Sequence, residues 1–155
     1  MIVTGTFTFQ GPRETVWELL QDPDVLVKAL PGAKRLTRAG EDRYEGVMQV
    51  GVGPVTAAEF AVAVAIKEKV PPARYTMDID SKGTLGFTRG TARVELEPLA
   101  GGGTLMRYAS ELHVGGKIAS VGQRLLDQVA KLMTRQGLEA LNKELRARLG
   151  GAAPR

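Results

Sequence analysis

Cysteine does not occur in this chain, and histidine and tryptophan occur once each, as His113 and Trp17. Without cysteine there is no disulfide framework, no thiolate metal site and no cysteine nucleophile. One imidazole cannot build a histidine-based metal centre, and no serine triad is legible around it. Long apolar runs are missing as well, since none approaches the ~20 residues a helix needs to span a bilayer. The opening MIVTGTFTFQ has no basic start and no apolar stretch, so no secretion signal is expected. Aromatic residues are only 5% and are not interleaved with basic ones. Nucleic acid is therefore not an expected partner.

What remains is an ordinary globular composition. The 155 residues are 43% hydrophobic and 25% charged, which suits one domain with one good core. A cytoplasmic location is expected. The net charge of +4 is unevenly placed. Residues 1–114 hold 13 basic and 14 acidic side chains, whereas residues 115–155 hold 8 and 3. The basic excess thus belongs wholly to the C-terminal segment. It reads either as a solvated helix face or as a surface for anionic lipid or an acidic partner protein, with Lys131, Arg135, Lys143 and Arg146 as the candidates.

Hydropathy alternates with period two over Val3–Phe9, predicting a first strand. Gly11-Pro12 stops it and opens a helix whose stripe is Val16, Trp17, Leu19 and Leu20. A second short helix over Asp24–Leu30 ends at Pro31-Gly32. Six strands follow, over 34–37, 43–50, 56–69, 74–80, 88–97 and 104–114, joined by short turns into an antiparallel meander. Beyond Gly116 the period becomes about 3.6, predicting a helix over most of Gly116–Leu149.

Three strands show one apolar and one polar or small face. Phe60, Val62, Val64 and Ile66 share a face; so do Ala92, Val94 and Leu96, and so do Met106, Tyr108, Ser110 and Leu112. A one-sided sheet needs one covering element, and the long helix supplies it. Tyr108 and Ser110 bring hydroxyls inward, and Met77, Met106 and Met133 bring adaptable side chains. Two readings stand: a complete core with satisfied hydroxyls, or a pocket for a hydrophobic ligand. His113 falls on the polar face, and Asp78 and Asp80 share a face without a third titratable partner in sequence.

The segment HVGGKIASVG raises the question of a phosphate loop. Such a loop needs Ser or Thr after the lysine and a glycine six residues before it. Here Ile118 follows Lys117 and Glu111 takes the glycine's place. Gly115-Gly116 is read instead as the corner between the last strand and the helix, with Gly122 inside the helix keeping it close to a strand or leaving room for ligand.

Five motifs in order, GPRETVWELLQDPDVLVKALPG, VGVGPVTA, PPARYTM, GFTRGTARVEL and VGGKIASVGQRLLD, resemble the carbon monoxide dehydrogenase G-subunit family over roughly Met1–Leu145. That family lies in the START-like, polyketide cyclase (SRPBCC) superfamily. The resemblance implies an α+β helix-grip fold, START/Bet v 1-like. A bent antiparallel sheet wraps a long C-terminal helix, with two short helices after strand 1. One domain is expected over 1–149, with a flexible tail over 150–155. Where the family usually has a cysteine and an acidic residue after Pro31-Gly32, this chain has Ala33 and Lys34.

The resemblance also implies a cavity between sheet and helix. Its expected lining is Phe60, Val62, Val64, Met77, Ile79, Met106, Tyr108 and Ser110 from the strands, Leu125, Val129 and Met133 from the long helix, and Trp17 from the first helix. Its expected mouth is formed by Pro31, Gly32, Gly83 and Gly86. The expected function is that of a non-catalytic accessory, with no cofactor or metal of its own. It would carry a lipid or isoprenoid quinone for a carbon monoxide dehydrogenase-type molybdenum hydroxylase, at the inner face of the cell membrane. A polyketide cyclase- or hydrolase-like enzyme using the same cavity, and a structural adaptor without ligand, are the alternatives.

Overall fold

The computed structural model describes residues 1–151, apart from the side chains of residues 55–57 and 151. Seven strands form one antiparallel sheet: β1 (Ile2–Phe9), β2 (Ala33–Gly40), β3 (Arg43–Val52), β4 (Val55–Val70), β5 (Arg74–Gly83), β6 (Gly86–Pro98) and β7 (Thr104–Gly115). The order across the sheet is β1-β7-β6-β5-β4-β3-β2, so β2 to β7 are the expected meander and β1 adds to its far edge. Register shifts interrupt β2, β3 and β4. Such bulges bend a strand and increase its twist, which lets a sheet curl around a helix.

Two short helices, α1 (Arg13–Leu20) and α2 (Pro23–Ala29), follow β1. The Asp22 carboxylate accepts the Asp24 N–H at 3.0 Å, and Pro23 occupies the first helical position, where its missing N–H costs nothing. The long helix α3 (Gln123–Gly151) crosses the sheet. At 29 residues it is roughly 43 Å long. Part of the expected tail, Gly150 and Gly151, belongs to this helix; 152–155 lie outside the described residues.

The long helix starts later than its periodicity predicts. Residues Lys117–Val121 form a 3-10 turn, and Gly122, at φ 102°, separates it from α3. That backbone is left-handed and costs glycine little. Among the described residues no atom comes within 4 Å of where a Gly122 side chain would start, so close packing on a strand does not require glycine there. Gly116, at φ 82°, makes the corner itself and lies against Gly86.

The sheet packs on the helices in two separate apolar clusters. The larger joins Phe9, α1, α2 and the second half of α3, through Leu138, Leu141 and Leu145. The smaller joins Val52, Ala58, Phe60, Ile118 and Leu126 beneath the 3-10 turn. Polar ties close the larger end. The buried Thr104 hydroxyl donates to the Gly11 carbonyl at 2.8 Å, and the Gln10 N–H donates to Asn142 Oδ1 at 2.9 Å. Buried hydroxyls are expected to find such partners.

Candidate functional site

A cavity of about 390 Å³ lies within the larger cluster and reaches the edge of the smaller one at Val62, walled by the sheet, α1, α2 and α3. Cross-strand register explains its floor. Met77, Ala92, Ser110 and Val3 form one row across β5, β6, β7 and β1, and Tyr75, Val94, Tyr108 and Gly5 form the next. Rows of this kind place their side chains on one face of the sheet. Small residues make the space: Gly46 on β3, Ala92 on β6 and Gly137 on α3 all line it.

The structure gathers eight of the twelve residues expected at the cavity: Val62, Val64, Met77, Ile79, Met106, Tyr108, Ser110 and Met133. The other four are elsewhere. Trp17 belongs to the larger cluster and meets Tyr75 edge to face, with ring centroids 5.3 Å apart. Phe60, Leu125 and Val129 belong to the smaller cluster. The physical reason is distance along the strands and helix. Leu125, Leu126 and Val129 of α3 pack with Phe60 in the smaller cluster, whereas the helix lines the cavity farther along, from Met133 to Leu141.

Of the expected mouth, Pro31 and Gly32 lie between the wall residues Leu30 and Ala33. The Pro31 ring is 3.8 Å from the Cβ position of Gly137. Gly83 and Gly86 are not part of the mouth. They close the β5–β6 hairpin against the Glu59 carbonyl and under Gly115 and Ile118.

Several wall residues carry a readable signal yet fall outside the expected lining. Tyr75 shares the strand face of Met77 and Ile79 by simple alternation. Leu20, Leu26 and Leu30 line the cavity from the short helix pair, and Gly46 and Met48 from β3. Helical periodicity marks such leucines as buried without saying against what.

Among the described residues the wall is neutral apart from Arg35 on the exposed edge strand β2, and it includes no carboxylate and no imidazole. Its polar side chains are otherwise hydroxyls. Tyr44 donates to the Gln21 carbonyl at 2.7 Å, Ser110 to the Val3 carbonyl at 3.2 Å, and Thr134 to the Ala130 carbonyl at 2.7 Å. Burial pushes the Tyr75 phenol well above its ordinary range, and neighbouring Tyr44 adds to the shift. Burial also raises Tyr44, against the opposing pull of Arg38, whose guanidinium lies 5.3 Å from the ring centre. Both shifts favour the neutral, proton-bearing phenol.

The titratable residues singled out in the sequence stand on the outer face. Asp78 pairs with Lys67 there, and Asp80 shares an outer hollow with Arg43, Glu45 and Arg89. His113 packs near Phe87, with ring centroids 5.8 Å apart. Lys131, Arg135, Lys143 and Arg146 are exposed along one side of α3, with Glu139 3.9 Å from Arg135 among them. Leu132, 44% exposed, adjoins them. Among the described residues no cluster of metal-ligating side chains occurs, and no helix is long and apolar enough to cross a membrane.

The family model for the G subunit of carbon monoxide dehydrogenase (CoxG) matches residues 5–146. A conserved protein of Geobacillus kaustophilus has 31% identity and a TM-score of 0.87, over 93% of this chain and 94% of that one. An aromatase/cyclase of Streptomyces sp. R1128 is 16% identical with a TM-score of 0.71, over 96% and 95%. A START superfamily protein of Mycobacterium smegmatis is 15% identical with a TM-score of 0.68, over 92% and 95%. These last two share the fold, a helix-grip of the START and polyketide cyclase type. No curated protein sequence matches the chain.

Proposed function

The chain belongs to the CoxG family of carbon monoxide dehydrogenase, and from that premise we propose that it is a non-catalytic accessory protein carrying one hydrophobic molecule, lipid- or quinone-like, in the cavity under α3. In this reading it serves a carbon monoxide dehydrogenase-type molybdenum hydroxylase by membrane recruitment or by delivery of an electron acceptor. The single observation carrying the proposal is the cavity of about 390 Å³ with its apolar wall. That size lies within the ~300–1,000 Å³ usual for small-molecule sites. A wall without carboxylate or imidazole favours holding a ligand over transforming one, because acid–base chemistry needs a titratable group within reach of the reacting atom. The basic side of α3 supports attachment to anionic lipid, at about 1 kcal/mol per cation near the surface. The exposed Leu132 adds apolar area beside it.

Vesicles with anionic headgroups, loaded with an isoprenoid quinone, test both parts together. Wild-type protein should co-sediment with them at low salt and leave with quinone when salt is raised. Changing Lys131, Arg135, Lys143 and Arg146 to glutamine should reduce co-sedimentation to that seen with neutral vesicles, since about 4 kcal/mol of attraction is removed. Unchanged sedimentation would reject this face. Protein that never takes quinone into the soluble fraction would reject the carrier reading.

A further inference from the structure

The hydroxyl groups on the cavity wall are not equivalent once their partners are counted. Tyr44, Ser110 and Thr134 each spend their proton on a backbone carbonyl. Tyr75 and Tyr108 also line the cavity, and among the described residues neither hydroxyl is bonded to a protein group, yet neither is among the sealed-off unpartnered atoms, which are Arg13 Nε and Gln21 Nε2. Tyr75 is only 3% exposed. Each of these phenols therefore keeps a proton that no carbonyl of the protein takes, open to whatever fills the cavity. An acceptor oxygen on a bound ligand can take that proton.

Placement strengthens the case. Tyr75 and Tyr108 both pair with Val94, one from each side, so they rise from the same row on adjacent-but-one strands. Their Cα atoms are therefore roughly 10 Å apart across the cavity floor. Next in the row is Gly5, and a Cβ there would lie 2.5 Å from the Tyr108 hydroxyl. The absent side chain lets that phenol lie over β1.

Resting on the carrier reading above, we infer that Tyr75 and Tyr108 are specificity-determining donors that select a neutral apolar ligand bearing at least one acceptor oxygen, such as a ring carbonyl. A phenol donor brings no positive charge, which favours neutral acceptors over carboxylates; burial, by raising the Tyr75 phenol, favours its proton-bearing form. An anionic head would also have to give up its hydration with no buried cation to receive it, because among the described residues the one cationic wall residue, Arg35, is exposed. A plain hydrocarbon would fill the space but leave both donors unpaired.

Calorimetric titration with four probes tests the inference: 2-methyl-3-prenyl-1,4-naphthoquinone, the matching 2-methyl-3-prenylnaphthalene, hexadecanoate and its methyl ester. The quinone should bind wild-type protein more tightly than the hydrocarbon, and the ester more tightly than the acid. Tyr75→Phe and Tyr108→Phe should each weaken the quinone about five- to tenfold, the worth of one neutral hydrogen bond. Hydrocarbon affinity should stay within about twofold. Gly5→Ala, which crowds the Tyr108 hydroxyl without touching its chemistry, should resemble Tyr108→Phe. Ligand-free Tyr75→Phe should melt no lower than wild type, because its hydroxyl holds nothing in the empty protein; a clear drop would assign it a structural role and overturn the inference. Quinone affinity unchanged in the double Tyr75→Phe/Tyr108→Phe variant would overturn it while leaving the carrier reading intact, as would tighter binding of hexadecanoate than of its ester. Failure of every probe to bind wild type would overturn both.

Discussion

Replacing Gly137 by leucine is expected to weaken binding of an apolar ligand about a hundredfold while leaving the fold as stable as before, or more so. Gly137 is buried in the middle of α3 and lines the cavity. A Cβ placed there meets only the Leu30 side chain at 3.5 Å and the Pro31 ring at 3.8 Å, both ordinary contacts. Nothing steric demands glycine. Its presence nevertheless costs the helix about 1 kcal/mol relative to alanine. A four-carbon side chain would take the place of about four ligand carbons. At ~0.8 kcal/mol per buried methylene that is about 3 kcal/mol, or roughly a hundredfold in affinity. Gly137→Ala should show the same opposition on a smaller scale, gaining up to about 1 kcal/mol in urea-denaturation stability and losing about fourfold in binding. A glycine kept only for packing would give the reverse result, with stability falling and affinity unchanged.

Leu145→Ala should have the largest effect on stability, about 3–5 kcal/mol. Leu145 is 0% exposed and sits in the larger cluster with Phe9, Val16 and Leu19. Its methyls lie 2.9 and 3.1 Å from the Cβ position of Gly11, and a Leu149 methyl lies 2.7 Å from the same point. The last turns of α3 are thus pressed against the chain between β1 and α1, and loss of Leu145 leaves a void that this rigid neighbourhood cannot close. Since small domains are stable by only about 5–15 kcal/mol, such a loss would cut deeply into the total. Urea denaturation followed by far-ultraviolet circular dichroism measures it, and a loss below about 1 kcal/mol would show that the helix is not anchored there.

These two residues also show how far the sequence could be read. Leu145 lies on the apolar stripe of period 3.6, so its burial was legible without coordinates. The inward faces of β4, β6 and β7 were legible for the same reason, because alternation fixes which side chains share a side. Alternation does not say how far the helix stands from the sheet at each point. Phe60 and Val62 are two apart on one strand and face the same way, yet one fills a cluster and the other lines a cavity. The difference lies in which stretch of α3 each meets: Leu126 clusters with Phe60, whereas Met133 to Leu141 line the cavity with Val62. Trp17 shows the same limit: its stripe predicts burial without saying against what, and it packs edge to face on Tyr75, which lines the cavity where Trp17 does not.

The Gly115–Gly122 segment was legible as a corner, but its form was not. A helix begun at Gly116 would have carried the 3.6 period through Ile118 and Val121. Gly122 at φ 102° breaks it, and Ile118 is spent on the smaller cluster. Sequence periodicity cannot separate five residues of 3-10 turn from the first turns of an α-helix, because the apolar positions nearly coincide.

Native mass spectrometry of the protein purified from its own host, followed by extraction and identification of whatever dissociates, tests the central claim most directly. The account predicts one hydrophobic molecule per chain, neutral and bearing an acceptor oxygen, and its loss in the Gly137→Leu variant. A chain that always appears at its bare mass, and stays so after incubation with quinone-loaded vesicles, would contradict it.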